Sequence, residues 1–280
     1  MIEMKSVTFA YGRKAPLFQQ LDARLEPGTI YGLLGRNGAG KTTMLKLMCG
    51  LLFPQQGEIG VLGHDPAGRN PELQQEIILI PEEFATPTLT VHDYRSLYAP
   101  FYPRFNGEEF ERHLGEFQLD GADKLSEMSY GQKKKVLLAF GLAAHTKLLI
   151  LDEPTNGLDI PSKGQFRRLL VGSSDEKRVI VVSTHQVRDM ENLIDPITIL
   201  ERGRVIFQHT LDEITSRIRM THETEQPHDA LYSESAMGGY AAVVPNHNGQ
   251  ESRIDLELLF NAVTTNPERV EALFAEEGVR

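Results

Sequence analysis

Residues 35–43 match the phosphate-binding pattern G-x-x-x-x-G-K-[ST] at every specified position. The segment follows the apolar run 30–34 and precedes a stretch with helical character, which is the order that the pattern requires. Its glycines let successive backbone N–H groups turn toward an anion, and the start of the helix adds a positive dipole. We predict that Lys41 reaches the β- and γ-phosphates of a triphosphate and that the Thr42 hydroxyl is a ligand of Mg²⁺. The alternative is a glycine-rich turn without a ligand.

Two carboxylates follow a second apolar run, residues 148–151. A run of this kind is typical of a strand that is buried on both faces in a parallel sheet. Ligands of open α/β sheets lie beyond the carboxyl ends of the strands, so we expect Asp152 and Glu153 to lie near the phosphates. Asp152 would then take part in the Mg²⁺ site of Thr42, and Glu153 would polarise the water that attacks the γ-phosphate. Solvated acids at a strand end are the alternative.

A histidine ends a third such segment, in which the apolar residues 179–182 precede Ser183, Thr184 and His185. At the same edge of a sheet, the His185 imidazole could donate to a γ-phosphate oxygen and so detect whether that phosphate remains. A single histidine at a strand end is more often a solvent-facing or core residue. The convergence of three apolar runs on groups useful for phosphate chemistry favours the catalytic interpretation.

The composition of the chain limits the classes of protein to which it can belong. The chain has 280 residues and a formal net charge of −10, from 29 basic and 39 acidic residues, so it has no overall positive field and we expect no nucleic-acid partner. Its single cysteine, Cys49, cannot form an internal disulfide, and the first residues lack the apolar core of a signal peptide. We therefore expect a cytoplasmic protein. The longest apolar run has nine residues, 136–144, whereas a membrane span needs roughly 20.

The pattern along the chain predicts an α/β fold in which a mainly parallel sheet is covered by helices. Residues 6–11 and 57–63 resemble half-exposed strands and predict an antiparallel edge sheet. From about residue 88 to residue 119, amphipathic helix interrupted by proline and glycine predicts a helical insertion.

The C-terminal part has a different character. We predict an ATPase-type domain over residues 1–216, a polar linker over 217–228 and a small α/β accessory region over 229–280. Within the accessory region, the residues 246–249 contain Asn-Gly and predict a hairpin turn between two strands, with two short helices after it. Asn266-Pro267-Glu268 has the residue types that begin the second helix. The accessory region could dimerise, regulate or cover a sheet edge.

Taken together, these residues resemble one family, the nucleotide-binding subunits of ATP-binding cassette (ABC) transporters. The resemblance covers about residues 1–215, and it includes Met128-Ser129-Tyr130-Gly131-Gln132, which is similar to the family signature Leu-Ser-Gly-Gly-Gln. It implies a P-loop NTPase fold with an antiparallel edge sheet and with a helical subdomain over about 85–145 that carries the signature. Further, it implies that residues 156–159 form the D-loop and that His185 is the switch histidine.

The resemblance also implies the ligands and partners. Two cassettes, either two copies of this chain or this chain and a similar one, would pack head to tail, so that ATP and Mg²⁺ on one cassette are closed over by the signature of the other. Separate transmembrane permease subunits would anchor this ATP-hydrolysing subunit to the inner face of the membrane, with the surface around residues 82–98 as the docking site. An exporter is the favoured assignment, and a soluble ABC ATPase in metal-cluster assembly or another non-transport role is the alternative. The residues implied to bind nucleotide are Tyr11, which would stack on adenine, Gly35, Asn37, Gly38, Ala39, Gly40, Lys41, Thr42, Thr43, Ser129, Gly131, Gln132 and Asp159.

Some positions depart from the family pattern. Glu82 stands where the family has the glutamine of the Q-loop, and a carboxylate there could touch Mg²⁺ or its water, so that the predicted metal ligands are Thr42, Asp152 and Glu82. Tyr130 replaces a signature glycine. A group of aromatic residues in the helical insertion allows two interpretations, core packing, which we favour, and a groove for a membrane-subunit helix. Its members are Tyr94, Tyr98, Phe101, Tyr102 and Phe105.

Overall fold

The computed structural model of the chain describes residues 1–191 and 193–275. The strands are β1 (Ile2–Phe9), β2 (Phe18–Leu25), β3 (Thr29–Leu34), β4 (Gln56–Val61), β5 (Ile77–Ile80), β6 (Leu148–Asp152), β7 (Val179–Thr184), β8 (Ile197–Glu201), β9 (Arg204–His209), β10 (Ile218–Glu223), β11 (Tyr232–Ala236) and β12 (Gly239–Pro245). The α-helices are α1 (Lys41–Met48), α2 (Pro71–Gln74), α3 (Val91–Tyr98), α4 (Gly107–Glu116), α5 (Tyr130–Ala143), α6 (Ile160–Gly172), α7 (Leu211–Arg217), α8 (Leu256–Thr265) and α9 (Pro267–Ala275).

The central sheet has six strands in the order β5-β6-β7-β3-β8-β9. Its strands are parallel from β5 to β8, and only β9 is antiparallel. Every residue of β6 and β7 is buried, as expected for uninterrupted apolar runs in a sheet covered on both faces. Because the strands are parallel and in register, Leu34, Asp152 and Thr184 end at one edge. The predicted α/β fold is confirmed.

A second, three-stranded sheet has the order β2-β1-β4 and is antiparallel. The prediction of an antiparallel edge sheet from residues 6–11 and 57–63 is confirmed, although β1 begins earlier, at Ile2. The inward-facing residues of this sheet belong to one apolar core with α1 and with one face of the central sheet. This sheet therefore supports the loop between β3 and α1 from the side.

Helices α3, α4 and α5 occupy the predicted helical insertion, and aromatic rings fill the space between them. Tyr94, Tyr102 and Phe105 lie with their ring centroids 5.3, 5.8 and 4.8 Å from that of Phe140 on α5. Core packing is thus the correct interpretation for these three residues. In contrast, the Phe101 side chain is 67% exposed and remains available to a partner.

The C-terminal part differs from the sequence prediction in two places. Residues 218–223 were predicted to lie in a linker but form β10, which pairs along its whole length with β12 in the antiparallel sheet β10-β12-β11. The predicted hairpin at residues 246–249 is also wrong, because the hairpin of this sheet joins β11 to β12 at Met237 and Gly238. The residues after 249 lead instead into α8, whose first turn is capped by the Asp255 carboxylate.

The two predicted C-terminal helices are present as α8 and α9, and α9 begins at Pro267 as predicted. Buried residues of α8, among them Leu259 and Val263, belong to the same apolar core as the strands β6 and β7. The C-terminal part is therefore joined to the central sheet by a continuous core. Within the described ranges 1–191 and 193–275, none of the helices has the length and apolar character needed to cross a bilayer.

Candidate nucleotide-binding site

The loop between β3 and α1 has the curvature that its glycines predict. Gly38 and Gly40 have φ angles of 83° and 114°, in the left-handed region that residues with a side chain rarely adopt. A Cβ atom on Gly40 would also lie 2.7 Å from Cε1 of Phe18, which is fully buried on β2. The antiparallel sheet thus holds this loop closely, and a glycine is required at residue 40 for both reasons.

Lys41, the first residue of α1, places its ammonium group under this loop. Nζ donates to the Gly35 carbonyl oxygen at 2.8 Å and lies 3.4 Å from Oε1 of Glu153. The Lys41 side chain is only 7% exposed. A buried cation at the start of a helix, beside inward-turning N–H groups, favours a polyanionic ligand.

The next residue, Thr42, is paired with the carboxylate at the end of β6. Its hydroxyl donates to Oδ2 of Asp152 at 2.7 Å, and the Ser183 hydroxyl of β7 donates to Oδ1 of the same carboxylate. Ser183 is a site residue that the sequence interpretation missed. The signal that could have found it is register, because Ser183 lies directly opposite Asp152 in the parallel pair β6-β7.

The oxygen atoms of Thr42 and Asp152 suit a hard cation such as Mg²⁺, which binds one or two protein oxygens and completes its shell with phosphate and water. In the part of the chain that the structure describes, no cluster of three or more His, Cys, Asp or Glu side chains could hold a metal ion alone. The donor set therefore fits a metal that arrives with a phosphate ligand.

Glu153 lies beside this pair in a strained position. Its φ angle is 46°, unusual for a residue with a side chain, and the residue is 3% exposed. The Glu153 N–H donates to the Ser183 carbonyl oxygen at 3.0 Å, which anchors the turn. One carboxylate oxygen, Oε1, lies 2.8 Å from Nδ1 of His185, and the His185 backbone N–H donates to the other. The structure therefore brings together Lys41, Thr42, Asp152, Glu153 and His185.

Lys41, Thr42 and Glu153 line a cleft of about 610 Å³, and Asp152 and His185 contact two of these lining residues, Thr42 and Glu153. Tyr11 forms one wall, with its ring 45% exposed and its hydroxyl 2.9 Å from the Thr43 hydroxyl. Lys14 and Arg36 also line the cleft and were not predicted, although Arg36 is a cation within the motif itself and Lys14 is a cation in the loop between β1 and β2. The predicted residues among the lining are Tyr11, Asn37, Gly38, Gly40, Lys41, Thr42, Thr43, Glu82 and Glu153.

Comparison with known proteins identifies the family of this chain. The family model described as ABC transporter matches residues 18–156. The Nod factor export ATP-binding protein I of Rhizobium etli is 31% identical over 251 residues, which cover 86% of this chain and 78% of that protein. The chain belongs to the ABC transporter family, among its ATP-binding proteins.

Further relatives and solved structures are similar to this chain in sequence or in fold. The ABC transporter ATP-binding protein YtrB of Bacillus subtilis is 30% identical over 80% of this chain and 78% of its own length. A solved structure of an ATP-binding subunit of an ABC transporter superposes with a TM-score of 0.70 at 29% identity, covering 76% of this chain and 91% of that one. The dimeric ATP-binding cassette MJ0796, solved with ADP and Pi, shares the fold with a TM-score of 0.65 at 23% identity, over 75% of this chain and 99% of its own.

The signature segment of this ABC protein does not line the cleft of its own chain. Ser129 caps α5, and its hydroxyl accepts from the Gln132 N–H at 3.3 Å while the Gln132 side chain accepts from the Ser129 N–H at 2.9 Å. A Cβ on Gly131 would lie 2.6 Å from the Gly157 carbonyl oxygen, so the signature packs against residues 156–159. Asp159 caps α6, and hydrogen bonding to Ser162 holds the pKa of this carboxyl below its usual value.

Glu82 lies at the cleft, and its carboxylate is engaged by a neighbour. Oε1 accepts a hydrogen bond from the Asn156 amide at 2.7 Å, and the Asn156 oxygen accepts from the Gln186 amide at 2.9 Å. These bonds link Glu82 to the segment that follows His185. Direct binding of a metal by Glu82 stays a prediction.

Proposed function

We propose that this ABC protein binds and hydrolyses ATP to energise a membrane exporter, as one of two cassettes that close head to tail around nucleotide. The observation that carries the proposal is the convergence of five groups at one site, contributed by the ends of β6 and β7 and by the start of α1, with Lys41, Thr42 and Glu153 lining the cleft. These groups are Lys41, Thr42, Asp152, Glu153 and His185.

In this proposal, Lys41 holds the phosphates and the Thr42 hydroxyl helps to hold the metal ion. Lys41 would exchange its bonds to Gly35 and Glu153 for the β- and γ-phosphate oxygens, since a triphosphate offers a stronger charge-assisted partner than a carbonyl. Thr42 and Asp152 would hold Mg²⁺, whose charge would offset the negative charge that develops on the phosphoryl group. Tyr11, exposed at the wall of the cleft, would stack on the adenine.

Glu153 would be the residue that orients the attacking water. Its carboxylate is buried, its backbone is anchored by Ser183, and it faces the same cleft as Lys41. His185 contacts this carboxylate and would donate from its other ring nitrogen to the γ-phosphate. Positioning and charge compensation supply most of the rate enhancement in phosphoryl transfer.

The position of the signature supports a composite site. Ser129, Gly131 and Gln132 do not line their own cleft, and Ser129 lies at the exposed start of α5 with the helix N–H groups behind it. A second copy could present this helix start to the γ-phosphate of ATP on its mate. Gly157 packs against the signature from within the same chain, so the segment 156–159, with Asp159, would lie at that junction.

The relatives favour transport over the soluble alternative. The related Rhizobium protein is named for Nod factor export, and a Bacillus licheniformis relative, 30% identical over 78% of this chain, is a bacitracin transport ATP-binding protein. We infer that this chain likewise works with separate transmembrane subunits at the membrane surface. The exposed Phe101 and Leu97 side chains of the helical insertion offer them an apolar contact.

Mixing two inactive variants tests the head-to-tail arrangement. Lys41→Ala removes the cation of the phosphate site, and Ser129→Asp keeps a good helix cap but sets a carboxylate against the γ-phosphate. Each variant alone should lose ATPase activity because both of its sites are defective. In a mixed dimer, one site combines both defects and the other is intact, so the mixture should recover activity. An inactive mixture, with heterodimers verified by two affinity tags, would contradict the composite site.

Purification with its membrane partner tests the transport role. The tagged full chain, extracted from membranes in mild detergent, should carry with it a protein with several apolar segments of roughly 20 residues. Phe101→Glu together with Leu97→Glu should release that protein without lowering the ATPase activity of the purified chain. Recovery of only soluble cluster-assembly proteins would favour the alternative.

A further inference from the structure

Lys134 is a buried cation that the proposed roles do not use. It lies on α5, five residues after Ser129, and is 0% exposed, whereas its neighbours Lys133 and Lys135 are partly exposed. Full burial of a lysine is rare unless the charge is paired or hydrogen-bonded. Its contacts therefore indicate what it does.

The Lys134 ammonium joins the ends of two neighbouring strands. Nζ donates to the Pro81 carbonyl oxygen after β5 at 2.9 Å and to the Asp152 carbonyl oxygen at the end of β6 at 3.3 Å. It also lies 5.6 Å from the ring centroid of Phe84. A single side chain of the signature helix thus reaches both the carboxylate strand and the loop that carries Glu82.

The bond to Asp152 acts on the strained peptide that leads into Glu153. The carbonyl of this peptide accepts from Lys134, and its N–H donates to the Ser183 carbonyl oxygen at 3.0 Å. A residue with a φ angle of 46° keeps that conformation only when its surroundings fix it from several sides. Lys134 and Ser183 fix this peptide from opposite sides, which sets the direction of the Glu153 side chain.

A second contact ties the signature to the same loop. The Tyr130 hydroxyl donates to the Glu82 carbonyl oxygen at 2.5 Å, and its ring stacks on Phe84 with centroids 5.2 Å apart. The start of α5 therefore contacts the loop after β5 through Tyr130 and Lys134, which lie one helical turn apart. A shift of this turn would move the loop and the Asp152–Glu153 peptide together.

The burial of Lys134 has an energetic cost that a structural residue would avoid. Its ammonium is withdrawn from water and donates instead to two backbone carbonyl oxygens. Methionine would fill the same space without that cost, and buried charges are often replaceable by apolar residues without loss of stability. The hydrogen bonds of this buried charge to the ends of two neighbouring strands favour a role in positioning.

We propose that Lys134 is a positioning residue that couples the signature of each subunit to the catalytic carboxylate of the same subunit. This coupling rests on the proposed function. Docking of Ser129 on the ATP of the partner subunit is transmitted through α5 and Lys134 to Glu153. Glu153 of each site would then be positioned for hydrolysis when ATP occupies the other site. Lys134 thereby couples ATP hydrolysis at the two sites of the dimer.

The test compares two lysines of one helix. Lys134→Met removes the charge and both hydrogen bonds, and Lys135→Met removes a lysine that donates to the Phe117 carbonyl oxygen at 3.2 Å, away from the site. We expect Lys134→Met to lower kcat by about 10- to 100-fold, the range for a misplaced catalytic group, and to lower the Hill coefficient for ATP toward 1. The Kd for ATP should change less than about 2-fold, because Lys134 does not line the cleft. Lys135→Met should match the wild type.

Lys134→Gln keeps an N–H donor and should restore part of the lost kcat. Unchanged kcat and Hill coefficient in Lys134→Met would overturn the inference. The inference would also be overturned if Lys134→Met lowered Tm and lost both kcat and ATP affinity, with no recovery in Lys134→Gln. That is the result expected for a merely structural residue. A wild-type chain that hydrolyses no ATP would instead contradict the proposed function.

Discussion

At the scale of single residues, the backbone conformation of Glu153 decides which groups its carboxylate meets. Glu153 is set apart from Asp152, its neighbour in the chain, by a left-handed φ angle that turns its side chain toward Lys41 and His185. Asp152 continues the extended strand and meets Thr42 and Ser183. Two adjacent acids thus receive two different sets of partners.

Replacing Glu153 by Gln should separate binding from hydrolysis. The amide keeps the size of the side chain but is a poor base, so kcat should fall by about two to four orders of magnitude while ATP affinity is retained. Single-turnover ATPase assays and calorimetric titration with ATP measure the two quantities. Glu83→Gln, in a nearby acid that does not line the cleft, is the control and should retain its kcat. Near-wild-type turnover of Glu153→Gln would remove the assigned role.

At the scale of elements, the phosphate loop is shaped by its fit against the antiparallel sheet. Phe18 on β2 occupies the space that a side chain on Gly40 would need. The sheet therefore constrains the loop conformation before any ligand binds, which reduces the ordering that ATP binding requires.

Gly40→Ala should abolish high-affinity ATP binding and destabilise the fold. Its φ angle of 114° and the 2.7 Å approach to Phe18 act together, and we expect a loss of at least about 1–3 kcal/mol in the free energy of unfolding. Gly63→Ala is the matched control, because Gly63 also has a positive φ, 85°, but a Cβ there has no atom within 4 Å. Urea denaturation of both variants measures the difference. Equal stability losses would show that the contact with Phe18 is unimportant.

At the scale of the whole molecule, the C-terminal part is packed onto the segment that follows His185. Leu259 of α8 is fully buried in the core shared with the central sheet, while Arg188 and Glu257 form an exposed ion pair of 2.6 Å at the same junction. Burial of apolar surface, more than this pair, should hold the two parts together.

Leu259→Ala should therefore destabilise the chain far more than Glu257→Gln. We expect a loss of about 2–5 kcal/mol for the buried leucine and at most about 1 kcal/mol for the exposed pair. Because the core is continuous, denaturation followed by circular dichroism should remain a single transition in both variants. A separate early transition in Leu259→Ala would show that the C-terminal part unfolds independently.

The local chemistry of the site could be predicted from the residue types and their spacing. The motif predicts a phosphate loop because Gly38 and Gly40 can adopt left-handed backbone angles that other residues rarely adopt, and uninterrupted apolar runs predict buried strands. The order of these segments was sufficient to place Asp152, Glu153 and His185 at one edge, since parallel strands share the direction of their carboxyl ends.

The contacts between segments that are distant in the chain could not be predicted in this way, because they depend on how the folded elements pack. The strand β10 was missed because its polar sequence becomes a strand through pairing with β12, a contact that local pattern does not reveal. Asn-Gly at residues 248 and 249 did not form a hairpin, because residues 250–255 form no strand and lead into α8, while β12 pairs with β10 and β11. The roles of Ser183 and Lys134 depend on strand register and helix packing, so they emerge only when β6, β7 and α5 are brought together.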